Sequence, residues 1–157
     1  MTLTIMDTNV LSDLRKTKRH PALLSWLATA ERGSLVIAAP SIVEIAQGIA
    51  SLEERDPVAA QPLIAWLTKL RATERILPLD AAAAELLGRM AAVRALRNLF
   101  TTHPRAATPQ FGGDIAIAAI AMTESAAVAT RNIRDFGLIA TYFPDLQVVN
   151  PYSVTDP

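Results

Sequence analysis

The chain has 157 residues, 51% of them hydrophobic, with 15 Lys+Arg against 15 Asp+Glu and no cysteine. That length fits one domain with one sizeable core. Zero net charge excludes a global basic field for gathering nucleic acid, and the missing cysteine excludes disulfides and thiolate metal sites.

In chain order, residues 2–6 read as a short buried strand, followed by helical pattern that breaks near Thr17–Pro21. A second helix carries Leu23, Leu24, Trp26 and Leu27 and ends near Gly33. Residues 35–39 read as a second strand closed by Pro40, with a helix from about 41 to 52 and another from about 57 to 73. Residues 75–79 form a short third strand, after which Asp80 caps an Ala/Leu-rich helix lasting to about Leu99. Pro104, Pro109, Gly112 and Gly113 mark residues 101–113 as a loop. A helix over about 113–125 leads to a fourth strand near 126–129, and residues 147–149 supply a fifth, with Pro151 beyond.

Strands alternate with helices along the whole length. The pattern predicts one α/β domain over residues 1–157, with a central parallel sheet of about four to five strands and helices on both faces. The strands are nearly all apolar, as buried parallel strands are. No uncharged apolar run approaches the ~18 residues of a membrane helix, and no basic segment precedes an apolar one at the N-terminus. The expectation is a soluble, cytoplasmic protein.

Four acids fall where the chain leaves a strand or enters a helix. Asp7 follows strand one, Glu44 lies in the first turn after strand two, Asp114 begins the helix before strand four, and Asp135 sits in the turn after strand four. In open parallel sheets ligands bind beyond the carboxyl ends of the strands, so three of these acids share one edge by topology. Asp114 must reach that edge from its helix start. Clustered carboxylates repel, and burial penalises every charged form, so the cluster needs protons or cations. A hard divalent ion, Mg²⁺ or Mn²⁺, suits an all-oxygen donor set; only His20 and His103 offer nitrogen to zinc. Such an ion can clamp a phosphodiester and lower the pKa of a bound water.

The segments Met6-Asp7-Thr8-Asn9, Ser41-Ile42-Val43-Glu44-Ile45, Gly113-Asp114-Ile115-Ala116-Ile117-Ala118 and Thr130-Arg131-Asn132-Ile133-Arg134-Asp135-Phe136 together resemble the PIN domain, in its VapC-like (FitB-like) toxin branch of type II toxin–antitoxin systems. Each segment is weak alone; the ordered set of four is specific and spans nearly the whole chain. The resemblance implies a PIN-like sheet between helices, Mg²⁺- or Mn²⁺-dependent cleavage of RNA, a homodimer, and neutralisation by a small cognate antitoxin. It places Asp7, Glu44, Asp114 and Asp135 at the acidic positions, and makes Thr8, Asn9, Thr130 and Asn132 candidates for hydrogen bonds to the acids or to substrate. Asp7 and Asp114 are the first choice for direct metal ligands, with Glu44 and Asp135 completing the site directly or through water.

Plainer roles compete. Asp7 can cap the following helix. Ser41-x-x-Glu44 has the spacing of a capping box. Asp114 gains from the helix dipole, a geometry that also suits a metal, and Asp135 can be a turn residue before Phe136-Gly137. The run from Arg15 to His20 reads equally as a phosphate-holding segment and as a solvated loop. Arg131 and Arg134 are placed to contact RNA or pair with the acids. His20 and His103, each before a proline, read as turn residues, and Trp26 and Trp66 as packing. Two other functions fit less well: an aspartyl-phosphate phosphatase, which needs an acid where Asn9 stands, and a catalytically silent PIN-like scaffold acting through partner binding.

Overall fold

The computed structural model describes residues 2–101 and 112–153. Residues 102–111 of the expected loop, with His103 and Pro104, lie outside them. Five strands form one sheet, β1 (Thr4–Met6), β2 (Leu35–Ala38), β3 (Ile76–Leu77), β4 (Ala127–Ala129) and β5 (Gln147–Val149), in the spatial order β3-β2-β1-β4-β5. All four pairings are parallel, with Ile5 beside both Val36 and Val128. The chain moves outward from β1 through β2 to β3, then crosses to β4 and β5 on the other side. The sheet's switch point therefore lies between β1 and β4, where a crevice opens beyond the carboxyl ends of the strands.

Side-chain alternation along the strands feeds two cores. Ile5, Val36 and Ala38 face the core that holds Met90, Ile117, Phe136 and Ile139. Met6 and Ile37 face the other, with Val10, Leu23, Ile45 and Ile49. The first face is covered by α5 (Ala81–Ala92), α7 (Gly113–Thr123) and α8 (Ile133–Tyr142). The second is covered by α1 (Thr8–Arg15), α2 (Pro21–Thr29), α3 (Ala39–Arg55) and α4 (Pro57–Thr73). Trp26 and Trp66 pack against this second core, as their helical spacing suggests. Among the described residues no helix is long and apolar enough to cross a membrane.

The elements differ most from the expected ones in four places. The third strand contracts to two residues. The Ala-rich helix does not continue to Leu99: Val93 takes an extended backbone, a 3₁₀ turn follows over Arg94–Leu96, and a short α6 (Arg97–Phe100) completes the stretch. Pro40 does not close β2. It lies in the first turn of α3, which starts at Ala39, and there a missing N–H breaks no helical bond. The fourth difference is α8, where Asn132 is the N-cap and accepts from the Asp135 amide.

Candidate active site

Each of the four acids is positioned by the fold at the carboxyl end of the sheet. Asp7 leaves β1 with its amide bonded to the Ala129 carbonyl of β4 and its side chain capping α1. The helix-cap role and the site role thus coincide. Its Oδ1 accepts from the Thr8 amide at 2.7 Å, and its Oδ2 accepts from Asn9 Nδ2 at 2.6 Å and Thr130 Oγ1 at 2.7 Å. Thr130 Oγ1 in turn accepts from Asn9 Nδ2 at 3.2 Å and from the Asn132 amide at 2.9 Å. These bonds tie the end of β1 to the end of β4 across the switch point.

Asp114 arrives from the opposite direction. α7 runs back toward the start of β4, so its N-terminus lies at the sheet's carboxyl end. Apart from Asp114 itself, the helix is buried from Gly113 through Ala121. Asn132 Nδ2 donates to Asp114 Oδ2 at 2.8 Å and to Asp135 Oδ2 at 2.9 Å, linking the two carboxylates. Both partners are acceptors, which fixes the amide orientation. Asp135 sits in the first turn of α8 and not in a free turn.

Glu44 lies in the second turn of α3, later than the sequence reading places it. Its capping-box alternative fails: the N-cap is Ala38, no side chain caps the helix, and Ser41 is a buried interior residue whose hydroxyl has no partner among the described residues. Glu44 instead reaches Gly113. A Cβ built on that glycine would stand 1.9 Å from Glu44 Oε1. Glycine there leaves the space the carboxylate occupies, a role no local pattern announces.

The electrostatics agree with the geometry. Burial first, then the charges of Asp7, Glu44 and Asp135, raise the Asp114 pKa from 3.8 to about 7. Burial also raises Asp7, against the hydrogen bonds from Thr130, Thr8 and Asn9. Burial raises Glu44, aided by the Asp7 charge and opposed by the Thr8 hydroxyl. Thr8 Oγ1 lies near enough to favour the Glu44 charge, yet meets no partner at full hydrogen-bond geometry. Among the described residues no Lys or Arg pairs with the four acids; Arg131 pairs with Asp13 at 3.2 Å.

Among the described residues no three His, Cys, Asp or Glu side chains converge into a ready metal cage. The Asn132 amide spans Asp114 and Asp135 through one oxygen of each. Mg²⁺ does not require such a cage, since it retains several waters and binds through one or two carboxylates. Asp7 and Asp114 fit that role: Asp114 Oδ1 carries no hydrogen bond among the described residues, and three bonds leave Asp7 further acceptor capacity.

Asp13 escapes the sequence reading. It is buried on α1, accepts from Tyr152 Oη at 2.6 Å, and pairs with Lys16 and Arg131. Nothing local marks it, because Tyr152 and Arg131 come from the far end of the chain.

No family model matches the chain. Ribonuclease VapC14 of Mycobacterium tuberculosis (strain CDC 1551 / Oshkosh) is 34% identical over 62 residues, a match spanning 40% of this chain and 60% of that relative. The structure of VapBC-1 from nontypeable Haemophilus influenzae aligns over 97% of this chain and 100% of its own, with a TM-score of 0.69 at 17% identity. FitAcB from Neisseria gonorrhoeae aligns over 97% and 100%, with a TM-score of 0.62 at 24% identity. The chain is thus similar to a VapC ribonuclease over part of its sequence, and it has the fold of chains in VapBC and FitAB complexes over nearly all its length.

Proposed function

We propose that the chain is a metal-dependent endoribonuclease, the toxin of a toxin–antitoxin pair, hydrolysing RNA phosphodiester bonds in the cytoplasm with Mg²⁺ or Mn²⁺. One observation carries the reading: Asp7, Glu44, Asp114 and Asp135, from four distant segments, meet at the switch point of a parallel sheet, and no Lys or Arg among the described residues pairs with any of them. Four clustered carboxylates that no described Lys or Arg neutralises fit a cation site better than a structural one. The similarity to a VapC ribonuclease and to chains in toxin–antitoxin complexes supports the same reading.

Asp7 and Asp114 would hold the ion, with Glu44 and Asp135 engaging it directly or through water. Bound there, the ion would supply Lewis-acid stabilisation of the phosphate and an acidified water. The chain's own part is to hold these groups in place. Thr130 and Asn9 fix the Asp7 carboxylate, and Asn132 fixes Asp114 against Asp135. Glu44, whose pKa burial raises, is suited to accept the proton of an attacking water. The aspartyl-phosphate alternative loses ground, because Asn9 donates to Asp7 from the position where that chemistry needs an acid. A cognate antitoxin and a homodimer belong to the same proposal.

The test is cleavage of single-stranded RNA by antitoxin-free protein in Mn²⁺, with Asp7→Asn as control. Cleavage should require the metal and fall by at least ~100-fold in the variant. Equal activity in both proteins, or none in either with no Mn²⁺ binding by calorimetry, overturns the nuclease and leaves the silent scaffold.

A further inference from the structure

Beside the acid cluster lies a cleft of about 330 Å³ that the reaction as proposed does not use. It is lined by Lys16, Lys18, Arg19 and Arg131, with His20 and Tyr152. The one acid in its wall is Asp13, which is buried and already engaged by Tyr152, Lys16 and Arg131. Its bonds anchor two of the cations at the wall, while their side chains remain more than half exposed. Arg131 also lies over the Tyr152 ring, 5.2 Å from its centroid, which further fixes the guanidinium. Among the described residues Lys18 and Arg19 form no ion pair. The result is four cations facing one saturated carboxylate in a chain whose net charge is zero.

The cleft shares a wall with the acids. The Arg131 amide donates to Asn9 Oδ1 at 3.2 Å, and Asn9 Nδ2 donates to Asp7 Oδ2. α1 itself runs from Asp7, at the acid cluster, to Arg15, past Asp13 in the cleft. We infer that the cleft is a phosphate-binding subsite for the backbone of single-stranded nucleic acid, holding a nucleotide that flanks the one at the acids. The inference rests on the nuclease reading for its orientation and on the cleft for its chemistry. A locally basic cleft resolves the difficulty posed by a neutral chain: it supplies backbone affinity where a global field cannot.

The experiment is equilibrium binding of a fluorescent single-stranded RNA, measured by anisotropy in EDTA across a salt series, so that hydrolysis does not enter. A Lys18→Ala/Arg19→Ala variant is compared with the parent and with Lys69→Ala/Arg71→Ala, which removes the same charge from exposed positions on α4. The expected result is a log K against log [salt] slope shallower by about 1.4 for the first variant, roughly 0.7 for each phosphate no longer neutralised, and unchanged for the second. Single-stranded DNA of equal length should show the same change, because groups that bind phosphate do not read the 2′-hydroxyl. In Mn²⁺ the first variant should raise KM with kcat held. An unchanged slope, an equal change in both variants, or no RNA binding by the parent overturns the subsite. A parent that binds RNA with the expected slope but never cuts it overturns only the nuclease.

Discussion

Gly113 shows how much of the site depends on one absent methyl group. It begins α7 in ordinary helical territory, so alanine there meets no backbone strain and would favour the helix. The Cβ would nevertheless fall 1.9 Å from Glu44 Oε1 and force that carboxylate away. Gly113→Ala is therefore expected to keep its melting temperature within a few degrees while losing roughly 10–100-fold in Mn²⁺ affinity and cleavage rate. Thermal melts beside calorimetric Mn²⁺ titration check this. Unchanged metal affinity would mean that Glu44 does not serve the site from its present position.

At the scale of elements, the caps separate structural acids from site residues. Asp80 caps α5 by accepting from the Ala83 amide at 2.9 Å, as its place before the Ala-rich run suggests. Asp80→Ala should cost about 1 kcal/mol in urea denaturation and leave metal affinity alone. Asn132 caps α8 and also donates to Asp114 and Asp135. Asn132→Ala should cost a similar amount of stability and a further ~10-fold or more in Mn²⁺ affinity. Equal metal affinity in the two variants would reduce Asn132 to a cap. α8 is absent from the sequence reading although its signals are present. Ile133, Phe136, Ile139 and Ala140 recur at helical spacing behind an Asn cap, but Gly137 in their midst resembles a turn. The capping box at Ser41 fails for the opposite reason. Its spacing is right, but Pro40 suits the first turn so well that α3 starts earlier than a Ser41 cap would require.

For the whole molecule, the acid cluster links stability to pH and to metal. The folded chain holds a proton on Asp114 up to about pH 7, whereas the unfolded chain releases it near 3.8. Between those values the native state binds more protons than the unfolded state, so metal-free stability falls as pH rises toward 7. A bound cation replaces the proton and cancels the repulsion. The melting temperature of metal-free protein should therefore decline from about pH 5 to pH 8, and saturating Mn²⁺ should raise it more at about pH 8 than at pH 6. Asp114→Asn should flatten the decline and abolish most of the Mn²⁺ effect. A metal-free melting temperature that rises with pH over this range would contradict the clustering of charge.

The sequence alone determined the α/β alternation, a parallel sheet of about four to five strands and the identity of four acids at strand ends and helix starts. Those features are local: burial periodicity and the residue types at chain turns are set by neighbours within a few positions. Tertiary structure alone decided what the acids do to one another. The raised pKa of Asp114, the space left by Gly113, the Asn132 bridge and the Asp13 cleft with Tyr152 and Arg131 each join segments far apart along the chain. Charge repulsion and steric exclusion act through space over a few ångströms. They enter only when the pairing of β1 with β4 brings those segments to one edge of the sheet.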